Sequence, residues 1–389
     1  MKIPYQYTIR NLWNRKLTTV LTVSGMALVV FVFSAVLMLA DGLKKTLVST
    51  GSPDNALVLR RSSTSEVMST IDRYQAGIIA TQPEIALGED GLPLLAKELL
   101  VLITLNKRGT TKVANVTLRG VNDNSWKLRP NVHLIVGRRY RKGANEIVVG
   151  KRIAERFEGC ALGESIKFGQ RRWLVVGIMD AGNTEFSSEV WGDVDQFMQA
   201  FRRPVYSGIL FKLKDRKLFQ RVKKRLENDP RLTVIVKTET QYYKEQSELM
   251  ERFIKIVGMV LTSIFSLGAV IGAMITMYSN VANRIVEIGT LRAIGFGRTS
   301  VLVAFLSEAL LLGLIGGLIG LSTSSFLQTI TVSTTNWKSF SEVAFKFTLT
   351  PQIALSGMAF AAVMGLVGGA LPSIKAARLP IVEALHTWE

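Results

Sequence analysis

The sequence predicts a membrane protein: four transmembrane α-helices with a large α+β extracytoplasmic domain inserted between helices 1 and 2. Three observations predict it. The 389-residue chain is apolar overall, with mean hydropathy +0.26 and 48% hydrophobic residues, yet carries a net charge of +18. Apolar and basic residues must therefore be segregated along the chain. Four stretches escape charge for roughly 20 residues or more, the length a helix needs to cross a bilayer. Finally, Gly42 to Arg252, between the first two stretches, alternates strand-like and helix-like patterns and holds 36 basic and 24 acidic residues, a net +12.

Residues 1–16 predict an interfacial helix. Tyr5, Ile9, Leu12 and Trp13 fall at helical spacing among Arg10, Arg15 and Lys16, with Trp13 at headgroup depth. Leu17 to Ala40 is the first span. It is too long for the apolar region of a cleaved signal peptide, and no clear A-x-A site follows. Asp41-Gly-Leu-Lys-Lys45 continues the helix into water, so residues 17–48 form helix 1 and a stalk.

Residues 49–238 predict the α+β domain, in two lobes. β-Branched or alternating runs at 56–60, 99–105, 113–118, 146–149, 173–178, 208–213 and 232–237 predict strands. Segments 151–157, 194–201 and 215–228 predict helices, the last with a basic, solvated face. No breaker interrupts Thr238 to Lys255, so residues 239–282 predict a second stalk running into the span Ile256–Ala282.

Residues 283–298 form a short basic loop, 299–331 hold span three with Glu308 near its start, and 332–346 form a short external loop. Residues 347–374 hold span four, and 375–389 a tail. Glu308 reads as a helix-end acid near the headgroups or paired to an arginine such as Arg298. Small residues recur at i, i+4: Gly268 and Gly272 on span two, Gly313 and Gly317 with Gly316 and Gly320 on span three, Gly365 and Gly369 on span four. That spacing lets helices approach closely in lipid, within one chain or between two. Lys2, Arg10, Arg15 and Lys16 precede span one, and Arg284, Arg292 and Arg298 flank spans two and three. Positive charge in short flanks places both termini and the 283–298 loop in the cytoplasm. The +12 domain then lies outside, where anionic headgroups or an acidic partner replace nucleic acid as the expected contact.

Several chemistries are excluded. There is no G-x-x-x-x-G-K-[ST] loop, so ATP is not bound in the Walker manner. The only histidines are His133 and His386, Cys160 is the lone cysteine, and no H-E-x-x-H or cysteine cluster suggests a metal. Gly320-Leu-Ser-Thr-Ser324 fails the G-x-S-x-G pattern at its last position. Catalytic, cofactor and metal residues are expected to be absent.

The loop is the most informative stretch. Arg284-x-x-Glu287-Ile288-Gly289-x-x-Arg292-Ala293-x-Gly295 resembles the loop signature of the FtsX-like, or MacB-type, ABC transporter permeases. Glu308-Ala-Leu-Leu-Leu-Gly-Leu-Ile-Gly-Gly-Leu-Ile-Gly320 is similar to that family's third span. Gly368-Gly-Ala-Leu-Pro372-Ser-Ile-Lys-Ala376-Ala377-Arg378-Leu-Pro380-Ile-Val-Glu383-Ala384-Leu385 resembles its ending, and Ile9-Arg10-Asn-Leu-Trp-Asn-Arg15 its entry. The resemblance implies an inner-membrane permease, paired with a second copy, that docks on a dimeric ABC ATPase. Arg284, Glu287, Ile288, Gly289, Arg292, Ala293 and Gly295 would form the ATPase-coupling contact, with Pro372, Ala376, Ala377 and Arg378 shaping the cytoplasmic end of span four. ATP and Mg would belong to a separate ATPase chain. A periplasmic adaptor or membrane-fusion protein is a further implied partner. Asn283 stands where an acid often precedes the arginine, and the chain's N-terminal approach to span one lacks the motif of lipoprotein-releasing permeases. The implied function is mechanotransmission: ATP hydrolysis drives the ectodomain to export or release an extracytoplasmic or hydrophobic substrate. Regulation of an external hydrolase or sensor, and lipid or lipoprotein extraction, are the alternatives.

Overall fold

A computed structural model describes residues 16–381. The interfacial helix expected before Lys16, and Glu383, Ala384 and Leu385, lie outside the described residues. The chain divides into two compact units. Among the described residues, one is helical, 16–41, 253–330 and 347–381; the other is α+β, 42–252 and 331–346. Helices α1 (Lys16–Val48) and α7 (Glu239–Ala282) are unbroken and contribute to both.

The α+β unit is built on a mixed ten-stranded sheet. Its strands are β1 (Asn55–Arg60), β2 (Leu95–Asn106), β3 (Val113–Val121), β4 (His133–Gly137), β5 (Glu146–Gly150), β6 (Ser165–Phe168), β7 (Arg171–Asp180), β8 (Glu189–Asp193), β9 (Gly208–Lys212) and β10 (Val234–Thr238). They run in the order β10-β1-β9-β2-β3-β8-β5-β7-β4, with β6 on β7. Strand β2 joins two halves: Leu95–Glu98 pairs with β9 and Leu99–Asn106 with β3.

Both faces of the sheet are covered, which is why its strands read as near-continuous apolar runs. Ala56, Val58, Ile147, Val149, Ile209 and Phe211 point to one core. Helices α2 (Arg73–Ala80), α4 (Lys151–Arg156), α5 (Val194–Ala200) and α6 (Phe219–Asn228) close it with Ile79, Ile153, Phe197 and Val222. Leu57, Leu59, Val148 and Leu210 point to the other face. There Trp126 of α3 (Asp123–Leu128), Phe186, and Tyr242 and Tyr243 at the root of α7 complete the packing. Residues 332–346, which the sequence presents as a loop, instead form most of an antiparallel hairpin of β11 (Thr331–Thr335) and β12 (Glu342–Lys346). It is fixed to this unit by Glu342, which pairs with Lys107 at 2.5 Å and Arg156 at 2.8 Å.

In the helical unit, α9 (Arg298–Ser325) and α10 (Pro351–Arg378) meet along a small-residue ladder. Gly369 faces Ala309, Gly365 faces Gly313, Gly317 faces Ala361 and Gly357 faces Leu321. The contacts step four residues in opposite directions along the two helices, as antiparallel packing requires. A Cβ on Gly313 would lie 2.6 Å from the Ala361 carbonyl oxygen, so only glycine permits this approach. Gly316 and Gly320 turn instead to α1, meeting Met26 and Ala27. At Gly268 and Gly272 of α7, an added Cβ would meet no atom within 4 Å among the described residues. They line an apolar groove of about 370 Å³ with Leu21, Leu28, Ile264 and Phe265.

Candidate functional site

The loop between spans folds as helix α8 (Ile285–Ala293), and both its ends are explained by its sequence. Glu287 sits in the first turn and Arg292 in the last, each favourable to the helix dipole. Gly295 adopts φ +108°, a conformation that L side chains rarely reach. Phe296 N–H donates to the Leu291 carbonyl at 3.1 Å and Gly295 N–H to the Arg292 carbonyl at 3.2 Å. This paired closure is the Schellman motif, and it turns the chain directly into α9.

The seven residues of the signature divide into two sets. Arg284, Ile288 and Gly289 are buried and Arg292 is half-buried. Ile288 packs with Met277, Val281, Val301, Phe305 and Ala376. Arg284 donates to Glu287 at 3.0 Å and to Glu308 at 3.2 Å, and its guanidinium lies over the Phe305 ring, 4.9 Å from the centroid. Arg292 donates to the Leu379 carbonyl. These side chains bind α8 to the ends of α7, α9 and α10. The outward face is Glu287, Thr290, Ala293 and Ile294, with Gly295 beyond it; Ile294 is 66% exposed. The sequence offers Arg298 as a partner for the acid Glu308; the structure places Arg284 there, because Arg284 caps α8 directly against α9 while Arg298 begins α9 exposed.

A second constellation lies in the α+β unit, and no local sequence pattern announces it. Arg119 of β3 is 1% exposed and contacts three carboxylates. It binds Glu189 of β8 through two 2.8 Å hydrogen bonds, Glu98 of β2 at 2.8 Å and Glu66 at 3.0 Å. Arg129 grips Glu98 with both terminal nitrogens, at 2.5 and 2.9 Å, and lies 3.4 Å from Glu239, the first residue of α7. Glu239 in turn accepts from Ser52 N–H and the Asn55 amide, both at 2.9 Å, just beyond the end of α1. Tyr242 accepts from Glu66 N–H at 2.9 Å.

Two arginines thus face five buried acids, and burial and the arginines pull those acids in opposite directions. Burial works to raise Glu98, but Arg129 and Arg119 outweigh it and hold its carboxyl down at about 2. Burial, joined by Glu189 and Glu66 and opposed by Arg119, pushes Glu185 up to about 8. Glu66 and Glu239 are also raised, chiefly by burial. The arrangement is a clamp that fastens the roots of α1 and α7 to the sheet. It offers no nucleophile or metal set, and among the described residues no cluster suits a metal ion.

The chain matches two family descriptions: MacB-like periplasmic core domain over residues 19–229 and FtsX-like permease C-terminal over residues 259–381. It is 33% identical over 116 residues to a Bacillus subtilis protein named uncharacterized ABC transporter permease YknZ, covering 30% of this chain and 27% of that one. It is 24% identical over 415 aligned positions to the macrolide export ATP-binding/permease protein MacB of Neisseria meningitidis, covering 98% of this chain and 60% of that one. The chain therefore spans between about a quarter and three fifths of these relatives' lengths. Among solved structures, the periplasmic region of MacB from Actinobacillus actinomycetemcomitans aligns with TM-score 0.38 and 11% identity, covering 50% of this chain and 92% of that one. With family matches over both the α+β part and the closing spans, the chain belongs to the FtsX/MacB-type family of ABC transporter permeases.

Proposed function

We propose that this permease receives the stroke of a separate ATPase dimer on the outward face of α8 and passes it through α1 and α7 to the α+β unit. One observation carries the reading. Helix α8 is anchored by Arg284, Ile288 and Arg292 while Glu287, Thr290, Ala293 and Ile294 form its exposed face. A contact helix must be held rigidly from behind to transmit force rather than fold away. The basic residues around it, Arg292, Arg298, Lys375 and Arg378, support a cytoplasmic position for this end of the bundle.

The unbroken α7, which follows β10 with no intervening residue, and the contacts of Glu239 with Ser52 and Asn55 support mechanical transmission from the helix roots to the sheet. The groove carrying Gly268 and Gly272 supports a seam with a second copy in the inner membrane, since small residues there suit a close backbone partner. The work done would be export or release of an extracytoplasmic or hydrophobic substrate, handed to a periplasmic adaptor. ATP and Mg would act only in the partner.

The contact itself is testable by site-specific photo-crosslinking in the complex with the ATPase. A photoreactive side chain at Ile294 or Thr290 is expected to crosslink to the ATPase, whereas one at Ile288 is expected to stay within the chain. Crosslinks from 288 equal to those from 294, or none from 294 and 290, would reverse the assignment of faces.

A further inference from the structure

A charged groove takes no part in the clamp or in helix α8. Beside the hairpin, α4 opens a groove of about 520 Å³, within the roughly 300–1,000 Å³ range of small-molecule sites. Lys151, Arg152, Arg156 and Lys346 line it against Glu155 and Asp180, an excess of two positive charges. The two arginines are built in. Arg152 is half-buried and donates to the Ala344 carbonyl and to Asn183 Oδ1 at 2.7 Å, both neutral acceptors, and the carboxylates that face its charge are Asp180 and Glu155. Arg156 donates to Ser333 Oγ at 2.8 Å and shares Glu342 with Lys107, two cations on one acid. Asp180 also accepts from Gly182 N–H at 2.8 Å, and with Glu155 it offsets two of the four cations, which leaves the groove its excess of two positive charges. Lys151 and Lys346 stand exposed at the rim.

We propose that this groove binds the phosphate-ester headgroup of an anionic membrane lipid. A guanidinium pair fixed in place with mobile ammonium groups at the rim is the chemistry that phosphate esters select. The lipid, rather than a dissolved phosphate, is favoured by chain position. Thr331 follows span three, and Lys346 precedes span four, by only a few residues, so the hairpin wall of the groove is tied at both ends to apolar helices. This accounts for part of the positive charge of the α+β unit, which neither the clamp nor α8 uses. The inference needs the apolar helices to lie in a bilayer but not the ATPase contact, and its test contains no nucleotide or ATPase, so the two readings fail separately.

The test uses the full chain in nanodiscs of phosphatidylcholine alone or of phosphatidylcholine with phosphatidylglycerol. Lysine acylation is followed site by site by mass spectrometry. Lys142, whose side chain is 76% exposed, serves as the internal reference. A basic residue near an anionic surface gains a binding factor of roughly fivefold. Lys151 and Lys346 are therefore expected to acylate about fivefold more slowly in the anionic discs, with Lys142 unchanged. Arg152→Gln is expected to abolish the protection of both lysines. Lys346→Gln, at an exposed position, gives the same readout on Lys151 without touching the packed arginine. Equal rates in the two discs would overturn the proposal. Protection that survives both substitutions would overturn it too, by showing diffuse attraction to the surface. Millimolar inorganic phosphate giving the same protection in neutral discs would overturn the lipid as the source.

Discussion

Replacing Arg119 with methionine is expected to destabilise the α+β unit by about 3–5 kcal/mol, the cost of removing one partner from a buried ionic network. Methionine fills much of the volume, so little of the loss comes from a cavity. The loss arises because Glu189, Glu98 and Glu66 would each forfeit a hydrogen-bonded cation, and Glu189 would forfeit two hydrogen bonds. Arg119→Lys is expected to recover only part of this, since an ammonium cannot form the forked contact with Glu189. Denaturant unfolding of the full chain, read by fluorescence, measures both. Trp191 lies in the cluster and its indole donates to Glu189 at 2.7 Å, so it reports on the site directly. A loss below about 1 kcal/mol for Arg119→Met would show that the network contributes little.

Glu185 is expected to make the same unit less stable as pH rises from about 5 to about 8, and Glu185→Gln to remove that slope. The folded chain keeps a proton on Glu185 up to about 8, whereas an unfolded glutamate releases it near 4.5. Between those values the folded state binds the extra proton, so stability falls with rising pH and levels off above about 8. Glu98 acts in the opposite sense in a lower window. Its folded value of about 2 lies below 4.5, so its contribution is present above 4.5 and is lost as pH falls through 2. At pH 8 the glutamine variant is expected to exceed the parent by on the order of 2–4 kcal/mol, with the two equal near pH 5. Thermal unfolding of both chains at the two pH values checks this; parallel curves at both would contradict it.

Much of the architecture is legible because its causes are local. Charge-free runs long enough to cross a bilayer can be read directly, and the strands 56–60, 146–149 and 173–178 are apolar because both sheet faces are covered. Several of the misses share one physical cause: charges buried by pairing. The run 113–118 ends where Arg119 begins to look like solvent, yet β3 continues to Val121. The run 99–105 begins after Lys97-Glu98, although β2 starts at Leu95. Strand β8 escapes a reading by apolar pattern because Glu189 and Asp193 bound it, and both are buried. Arg119 and Glu189 are 70 residues apart, and no local pattern reveals that they meet. The hairpin 331–346 is hidden similarly, its Glu342 being matched by Lys107 and Arg156 from distant segments.

In the loop, the signature residues are visible in the sequence but not their directions. Spacing alone puts Arg284 and Glu287 together, and the structure has that pair at 3.0 Å. Spacing does not show that Arg284, Ile288 and Arg292 turn inward, which depends on where α9 and α10 lie. Ile294 carries no signal at all, since an exposed isoleucine in an apolar chain looks like any other.

The most direct measurement follows hydrogen exchange across residues 239–252, the root of α7, in the complex with the proposed partner ATPase, with and without ATP. The parent chain is expected to show an ATP-dependent change there. Ile294→Asp, and Glu287→Ala combined with Ile294→Asp, are expected to abolish that change while ATP hydrolysis by the partner continues. An ATP-dependent change at 239–252 that persists unaltered in both variants would contradict transmission through α8, and so would its absence in the parent while ATP is being hydrolysed.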